Sequence, residues 1–240
     1  MNPATLDQTN VRWDGVPDVA TLHDSARRRI LDAARDAIRQ RGRFLIVVAG
    51  GNTPQTVYRR LRDADADWSR WYVYFGDERC VPVDDPARNS RMAAEAWLDH
   101  VAIPKTQVHA MPAELGAGPA ADAYANTLHN VGQFDLVLLG LGEDGHTASL
   151  FPDHDWGSAT HAADVLAVAD APKPPPQRVS LSARRLSLAR AVLFMVTGEA
   201  KHDAVARWHA GADIPARAIQ PPDGVDVLIE AMLLEGTAPE

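Results

Sequence analysis

The sequence predicts an α/β protein with an open, mainly parallel β-sheet and helices on both faces of that sheet. Short apolar runs, typical of buried parallel strands, alternate with amphipathic segments whose apolar residues recur at helical spacing. Two of the apolar runs, over 44–48 and 134–139, lead directly into glycine turns, as strands do in βαβ units. No linker and no internal repeat divides the chain, so residues 1–240 are expected to form a single domain.

The first half of the chain is predicted to alternate helices with strands. The apolar side chains of its first helix recur every three or four residues, with charges on the opposite face. Thr53 is the expected N-cap of the second helix, with Pro54 at its first position. In order, we predict a helix over 19–41, a strand over 44–48, a helix to about 61, a strand over 71–75, a helix over 89–98 and an extended segment over 107–111.

The second half continues the alternation around one irregular segment. Residues 171–176 contain four prolines and are expected to form a surface loop that could border a site. Ser182 is the expected cap of a short helix. In order, we predict a helix over 119–130, strands over 134–139, 165–168 and 178–181, the short helix, a strand over 192–197, a helix over 199–210 and a last strand over 225–229.

Composition narrows the function classes. The 240 residues carry a net charge of −8 and no basic run, which argues against nucleic acid as a partner. No apolar run approaches the roughly 18 residues of a membrane span. The first 20 residues lack the apolar segment of a secretory signal, and the single cysteine, Cys80, cannot form an internal disulfide. We therefore expect a cytoplasmic protein.

The segment that follows the strand over 134–139 presents Asp144 and His146 between glycines. Ligands of open α/β sheets bind at the carboxyl ends of the strands, and a histidine with a pKa near 6.5 is suited to general base catalysis. An enzyme is therefore favoured over a binding module. Residues 140–145 also fit Gly-x-Gly-x-x-Gly, but Pro152 follows too soon for the helix that a dinucleotide site requires.

An anion site is predicted where the strand over 44–48 meets the next helix. Gly50 and Gly51 free the backbone to turn its N–H groups toward a ligand, and Asn52 and Thr53 add hydrogen-bonding groups. The alternative is a tight turn with Thr53 as a plain cap. The segment is not a P-loop, because Gly-x4-Gly-Lys-Ser/Thr is absent.

Further charged residues are expected near the same edge of the sheet. Asp77 and Arg79 follow the strand over 71–75, although they could form an ion pair in a solvated turn. Lys201 lies in the first turn of a predicted helix, where a cation opposes the helix dipole, so a bound anion would explain it. Arg178 follows the proline-rich loop. Each of the two cations could also be a simple surface charge.

No metal or cofactor is expected. The histidines lack metal-ligand spacing, and Ser149 lacks the Gly-x-Ser-x-Gly turn of serine hydrolases.

Taken together, the motifs resemble those of the 6-phosphogluconolactonase family, in that family's order and over about residues 12–232. Asn52 departs from the serine of many relatives but can still donate hydrogen bonds. The segments that carry the resemblance are Gly-Gly-Asn-Thr-Pro over 50–54, Phe-Gly-Asp-Glu-Arg-Cys-Val-Pro over 75–82, Asn-Ser-Arg-Met over 89–92, the run over 135–152 with Asp-Gly-His-Thr-Ala-Ser-Leu-Phe-Pro, Arg-Val-Ser-Leu over 178–181 and Gly-Glu-Ala-Lys over 198–201.

The resemblance implies a Rossmann-like fold and a monomer that hydrolyses a sugar-phosphate lactone, 6-phospho-D-glucono-1,5-lactone, in the second step of the oxidative pentose phosphate pathway. His146 would be the general base, with Asp144 or Asp77 orienting it or the water. Arg79 would stabilise the oxyanion or hold the substrate. The phosphate would rest on residues 50–53, with Arg178 and Lys201.

The same motifs also resemble those of glucosamine-6-phosphate deaminases, but the match to that family is poorer. Their histidine segment contains a glutamate that assists ring opening, and this sequence has Phe151 at that position. Arg79 stands where deaminases usually carry tyrosine. The lactonase is therefore the favoured activity.

Overall fold

Seven parallel strands form the main sheet in a computed structural model that describes residues 10–235. Numbered in chain order, the seven strands are β1 (Val11–Val16), β2 (Phe44–Val48), β3 (Trp71–Phe75), β5 (Val108–His109), β6 (Leu136–Gly140), β9 (Val192–Val196) and β10 (Val225–Glu230). Their order across the sheet is β1-β10-β9-β6-β2-β3-β5. The predicted domain includes residues 1–9 and 236–240, which lie outside the described residues. Residues 1–9 also belong to the segment that was expected to lack a secretory signal.

A second, antiparallel sheet has the order β4-β8-β7. It consists of β4 (Asp77–Arg79), β7 (Val165–Val168) and β8 (Arg178–Leu181). The two sheets are joined where the N–H of Leu181 donates to the carbonyl of Gly76, directly after β3. The second sheet therefore carries residues 77–79 and 178 to the end of the main sheet.

Within residues 10–235, six α-helices flank the sheets. The first is packed on the second and the second on the third, whereas the fourth packs against β7 and β8. No helix in the described part of the chain has both the length and the apolar character needed to cross a bilayer. The helices are α1 (Val19–Arg41), α2 (Asn52–Leu61), α3 (Asn89–Ala96), α4 (Ala117–Leu128), α5 (Ala183–Ser187) and α6 (His202–His209).

The bounds of α1 follow from local chemistry that the sequence displays. The Asp18 carboxylate accepts a hydrogen bond from the N–H of Thr21 at 2.7 Å, as an N-cap does. At the other end Gly42 adopts φ +73°, and its N–H donates to the carbonyl of Ile38. Glycine takes this left-handed conformation without the Cβ strain of other residues, so the helix ends there.

The predicted fold class is confirmed, with corrections to individual elements. Residues 77–79 form strand β4 instead of a loop, and the strands over 165–168 and 178–181 belong to the antiparallel sheet. Strand β1 was not predicted, because it lies at the sheet edge and only its last residue, Val16, is buried. The helix predicted from residue 199 begins with a 3₁₀ turn, Glu199–Lys201.

Thr53 does not cap α2. The helix begins two residues earlier than predicted, at Asn52, and its N-cap is Gly51, with φ +105°. A residue with a Cβ is strained in that conformation, so the second glycine sets the start of the helix.

The strand order reverses beside β2. From β2 the chain proceeds to β3 and β5 on one side, and then returns to β6, β9 and β10 on the other. The carboxyl ends of β2 and β6 therefore diverge into separate turns and leave a crevice between them, which is the usual ligand position in such sheets.

Candidate active site

A cavity of about 360 Å³ opens at this crevice. Among the predicted site residues, those that line it are Gly50, Gly51, Asp77, Arg79, His146, Arg178 and Lys201. Asn52, Thr53 and Asp144 do not line it. Asn89 and Lys173 also line it, and neither was predicted as a site residue.

His146 is oriented by Asp144. The Asp144 Oδ1 atom lies 2.5 Å from the ring Nδ1 of His146 and accepts the backbone N–H of the same residue at 3.1 Å. Because Nδ1 is engaged by this carboxylate, Nε2 is the ring nitrogen available to a substrate. Of the two aspartates that the sequence left open, Asp144 is thus the one that contacts the imidazole.

Gly142 makes room for the imidazole. A Cβ atom at this position would lie 2.0 Å from Nδ1 of His146. The turn is closed by the N–H of Gly142, which donates to the carbonyl of His146 at 2.7 Å. The glycine before the Asp-Gly-His segment is therefore required by close approach, and any side chain there would displace the ring.

The environment favours the neutral form of His146. Burial lowers the pKa of His146, and the charge of Lys173 lowers it further, while the charge and hydrogen bond of Asp144 oppose both. The ordinary value is near 6.5, so the imidazole is unprotonated at neutral pH and can accept a proton.

Asp77 belongs to a separate hydrogen-bond network. One carboxylate oxygen accepts from the Ser149 hydroxyl at 2.6 Å and the other from the Asn89 side-chain amide at 3.1 Å. The same amide donates to the Asp77 carbonyl at 3.0 Å. Both carboxylate oxygens of Asp77 are therefore oriented by neighbours, and neither neighbour is His146.

Glu78 places Asn89. Its fully buried carboxylate accepts the backbone N–H groups of Asn89 at 2.7 Å and Ser90 at 2.8 Å, and it lies 3.3 Å from Nε of Arg88. These are the unpaired N–H groups at the start of α3, which a carboxylate stabilises. The second acid of the Asp-Glu pair thus builds the helix start that carries Asn89.

The glycine turn after β2 is tightly packed against Asn89, and hydrogen bonds from Tyr58 support it. A Cβ on Gly50 would lie 2.0 Å from Oδ1 of Asn89. The buried Tyr58 hydroxyl accepts the N–H of Ala49 and donates to the carbonyl of Ala49, at 2.9 Å in each case. Burial raises the pKa of Tyr58, so it remains a neutral donor. Tyr58 therefore holds both backbone polar groups of the residue that precedes the turn.

The first residues of α2 contribute less to the cavity than expected. Asn52 is exposed, and the Thr53 hydroxyl lies 2.7 Å from the Thr197 hydroxyl, with which it forms a hydrogen bond. A ligand at this helix start would therefore meet backbone N–H groups rather than the threonine hydroxyl.

Arg178 and Lys173 are linked through the proline-rich loop. The guanidinium of Arg178 donates from Nε to the carbonyl of Pro175 and from Nη2 to the carbonyls of Lys173 and Pro174. Arg178 thereby fastens the loop that brings Lys173 to the cavity. The sequence indicated that this loop could border a site. It did not indicate the position of Lys173, because that position depends on the hydrogen bonds between the Arg178 guanidinium and the loop carbonyls.

Two further cations complete the lining. Burial lowers the pKa of Lys201, whose Nζ atom lies 3.9 Å from Oε1 of Glu143. Arg79 donates from Nη1 to the carbonyl of Ala87, while its buried Nε has no hydrogen-bond partner among residues 10–235. A cavity with four cations and an unpaired buried donor is suited to an anionic ligand.

Within the residues that the structure describes, no three His, Cys, Asp or Glu side chains are grouped so as to hold a metal ion.

The chain is similar to known proteins over most of its length. The family model described as glucosamine-6-phosphate isomerases/6-phosphogluconolactonase matches residues 17–228. A 6-phosphogluconolactonase of Mycobacterium leprae is 39% identical over 216 residues, which cover 83% of this chain and 87% of the relative. The 6-phosphogluconolactonase of Homo sapiens is 37% identical over 198 residues, which cover 77% of this chain and 76% of the relative. A crystal structure of 6-phosphogluconolactonase from Thermotoga maritima has a TM-score of 0.85 at 27% identity and covers 92% of this chain and 99% of that chain.

Proposed function

Because the chain belongs to the glucosamine-6-phosphate isomerase/6-phosphogluconolactonase family, we propose that it hydrolyses 6-phospho-D-glucono-1,5-lactone to 6-phospho-D-gluconate. The observation that carries this proposal is a cavity that brings together four cations and an imidazole held in place by Asp144. The imidazole suits proton transfer from water, and the cations suit a phosphorylated substrate.

We propose that His146 acts as the general base. Its Nε2 atom takes a proton from water as the water oxygen attacks the lactone carbonyl carbon, C1. The tetrahedral intermediate then collapses, the bond between C1 and the ring oxygen breaks, and the ring oxygen receives the proton from His146. Asp144 holds the ring in the required orientation and balances the charge that His146 gains. Water is the only co-reactant of this sequence.

The substrate phosphate is proposed to bind at the start of α2, on the backbone of residues 50–53. The dipole of the helix start favours an anion there, and Lys201 and Arg178 supply charge. Lys173 strengthens the local positive potential that an acidic protein needs in order to attract an anionic substrate. Arg79, whose Nε has no hydrogen-bond partner in the described part of the chain, is proposed to stabilise the oxyanion or hold the substrate.

The deaminase alternative is less well supported at Phe151. This side chain is buried, and its ring lies 4.9 Å from the ring of His146. An isomerising deaminase would be expected to have a carboxylate at this position for proton transfer. We further propose that the enzyme acts in the oxidative pentose phosphate pathway in the cytoplasm, as a monomer without metal or cofactor.

The decisive assay follows the decay of freshly prepared 6-phospho-D-glucono-1,5-lactone in the presence of EDTA. We expect the purified protein to accelerate this decay well beyond the spontaneous rate. A protein that binds 6-phosphogluconate but leaves the decay at its spontaneous rate would be a sensor. Ammonia released from glucosamine 6-phosphate would indicate the deaminase, and fluorescence quenching by micromolar NADPH a dinucleotide-binding module.

Lys201→Ala is expected to raise KM for the phosphorylated lactone roughly 10–100-fold with a small change in kcat, since a charge-assisted hydrogen bond to the phosphate is lost. Steady-state kinetics with the unphosphorylated glucono-1,5-lactone should show no comparable change. Lys105→Ala, at an exposed lysine outside the cavity, is the matched control. An unchanged KM in Lys201→Ala would remove the lysine from the phosphate site.

The pH dependence tests the pair of His146 and Asp144. Because burial lowers the pKa of His146, kcat/KM is expected to be constant near neutral pH and to fall as the pH drops through that lowered pKa. Asp144→Asn removes the carboxylate that raises this pKa, so the acid limb should move to lower pH while kcat decreases. Asp170→Asn, which removes the partner of the peripheral His154, is the control and should leave the profile unchanged. An acid limb at the same pH in Asp144→Asn would contradict the pairing.

A further inference from the structure

A buried carboxylate lies behind the turn that carries Lys201. Glu230 is only 8% exposed, at the carboxyl end of β10, and its Oε2 atom accepts the backbone N–H of Gly198 at 2.7 Å. A buried acid costs stability unless it is hydrogen-bonded, so this contact determines where the side chain can lie. Glu230 takes part in none of the proposed catalytic steps.

The turn from Gly198 to Lys201 is short and closed. Gly198 adopts φ +89°, and the N–H of Lys201 donates to the carbonyl of Gly198 at 3.0 Å. Any rotation of the Gly198 peptide therefore moves the backbone nitrogen of Lys201, which is bonded to the Gly198 carbonyl. Because β10 pairs with β9, with Ile229 beside Val196, the Glu230 side chain needs only to reach across to the neighbouring strand end.

The same strand end is braced from a second side. The hydroxyl of Thr197, next to Gly198, bonds to the hydroxyl of Thr53 at the start of α2. The turn that carries Lys201 is thus connected both to β10 and to the glycine turn on which the phosphate is proposed to rest. The two halves of the anion site are therefore held in register by contacts outside the cavity.

From these contacts we infer that Glu230 is a positioning residue for the substrate phosphate, which fixes the turn of residues 198–201 so that Lys201 reaches the cavity. The inference rests on the proposed function. Glu230 acts through its reach and not through its charge, because the acids whose charges influence the pKa of Lys201 are Glu143 and Asp144.

Reach and charge are separated by two conservative variants. Glu230→Gln removes the charge but keeps an oxygen at the same distance, so its KM for the phosphorylated lactone should remain within about twofold of the wild type. Glu230→Asp keeps the charge but is one methylene shorter, so KM should rise roughly tenfold with little change in kcat. Turnover of glucono-1,5-lactone, which has no phosphate, should be the same in both variants.

A double mutant tests whether the effect passes through the lysine. If Glu230 acts through Lys201, Glu230→Asp adds nothing to the KM of Lys201→Ala, because residues that act as one unit are not additive. Additive effects, equal losses on both lactones, or a raised KM in Glu230→Gln with a normal KM in Glu230→Asp would each overturn the inference.

The failure of this inference is distinguishable from failure of the proposed function. A wild-type protein without lactone turnover would contradict the proposed function alone. In that case the affinity for inorganic phosphate, measured by calorimetry on the wild type and the same variants, replaces KM. The inference requires that Glu230→Asp binds inorganic phosphate more weakly than the wild type and that Glu230→Gln binds it as tightly as the wild type. Equal phosphate affinities in all three proteins would overturn it.

Discussion

His146→Ala is expected to lower kcat for 6-phospho-D-glucono-1,5-lactone by ~10² to 10⁴-fold, the usual contribution of a general base. KM should change little, because the phosphate and sugar contacts remain. The side chain is partly exposed and bonded mainly to Asp144, so its removal should leave the fold intact. Initial rates of lactone hydrolysis, corrected for the spontaneous reaction, measure the effect.

The matched control for this variant is His161→Ala. His161 is exposed and does not line the cavity, so its loss should leave both kcat and KM unchanged. Near-normal turnover in His146→Ala, with circular dichroism equal to the wild type, would remove the base assignment and with it the proposed mechanism.

Gly142→Ala is expected to reduce kcat by ~10² without deleting any catalytic group. The added methyl would lie 2.0 Å from Nδ1 of His146, so the ring must rotate and lose its bond to Asp144. A misplacement of about 1 Å can cost this much in rate. Thermal unfolding should change little, since a side chain at the cavity moves rather than the backbone of the core.

Gly132→Ala serves as the comparison, because a Cβ at that position meets no atom within 4 Å. It should behave as the wild type in both rate and unfolding temperature. Full activity in Gly142→Ala would mean that the orientation of the imidazole by Asp144 is not required for turnover.

The edge of the sheet that holds the cavity was predictable from the sequence. Strands β2 and β6 are continuous apolar runs that end in glycine turns, and parallel strands place their carboxyl ends on one edge. The pair of Asp144 and His146 was visible for the same reason, since two residues of one tight turn are close in space whatever the rest of the fold does.

Contacts between distant segments were not predictable. The choice between Asp77 and Asp144 required the fold, because Asp77 is engaged by Ser149, 72 residues away in the chain. The position of Lys173 depends on the carbonyl contacts of Arg178, and that of Lys201 on the contact between Gly198 and Glu230. No periodicity in a single sequence encodes such pairings.

The missed strands have a related physical cause. Strand β4 has three residues, all charged, and it exists because it pairs with β8. Strand β1 is half-exposed at the sheet edge, so its alternation is weak. Tertiary pairing, rather than local propensity, determines both strands.

The most direct test of the proposed mechanism is a crystal structure with the product, 6-phospho-D-gluconate, bound in the cavity. We predict that the C1 carboxylate lies about 3 Å from Nε2 of His146, with the phosphate on the backbone of Gly50 and Gly51 and against Lys201. The opposite orientation, with the phosphate beside His146 and C1 at the glycine turn, would contradict it.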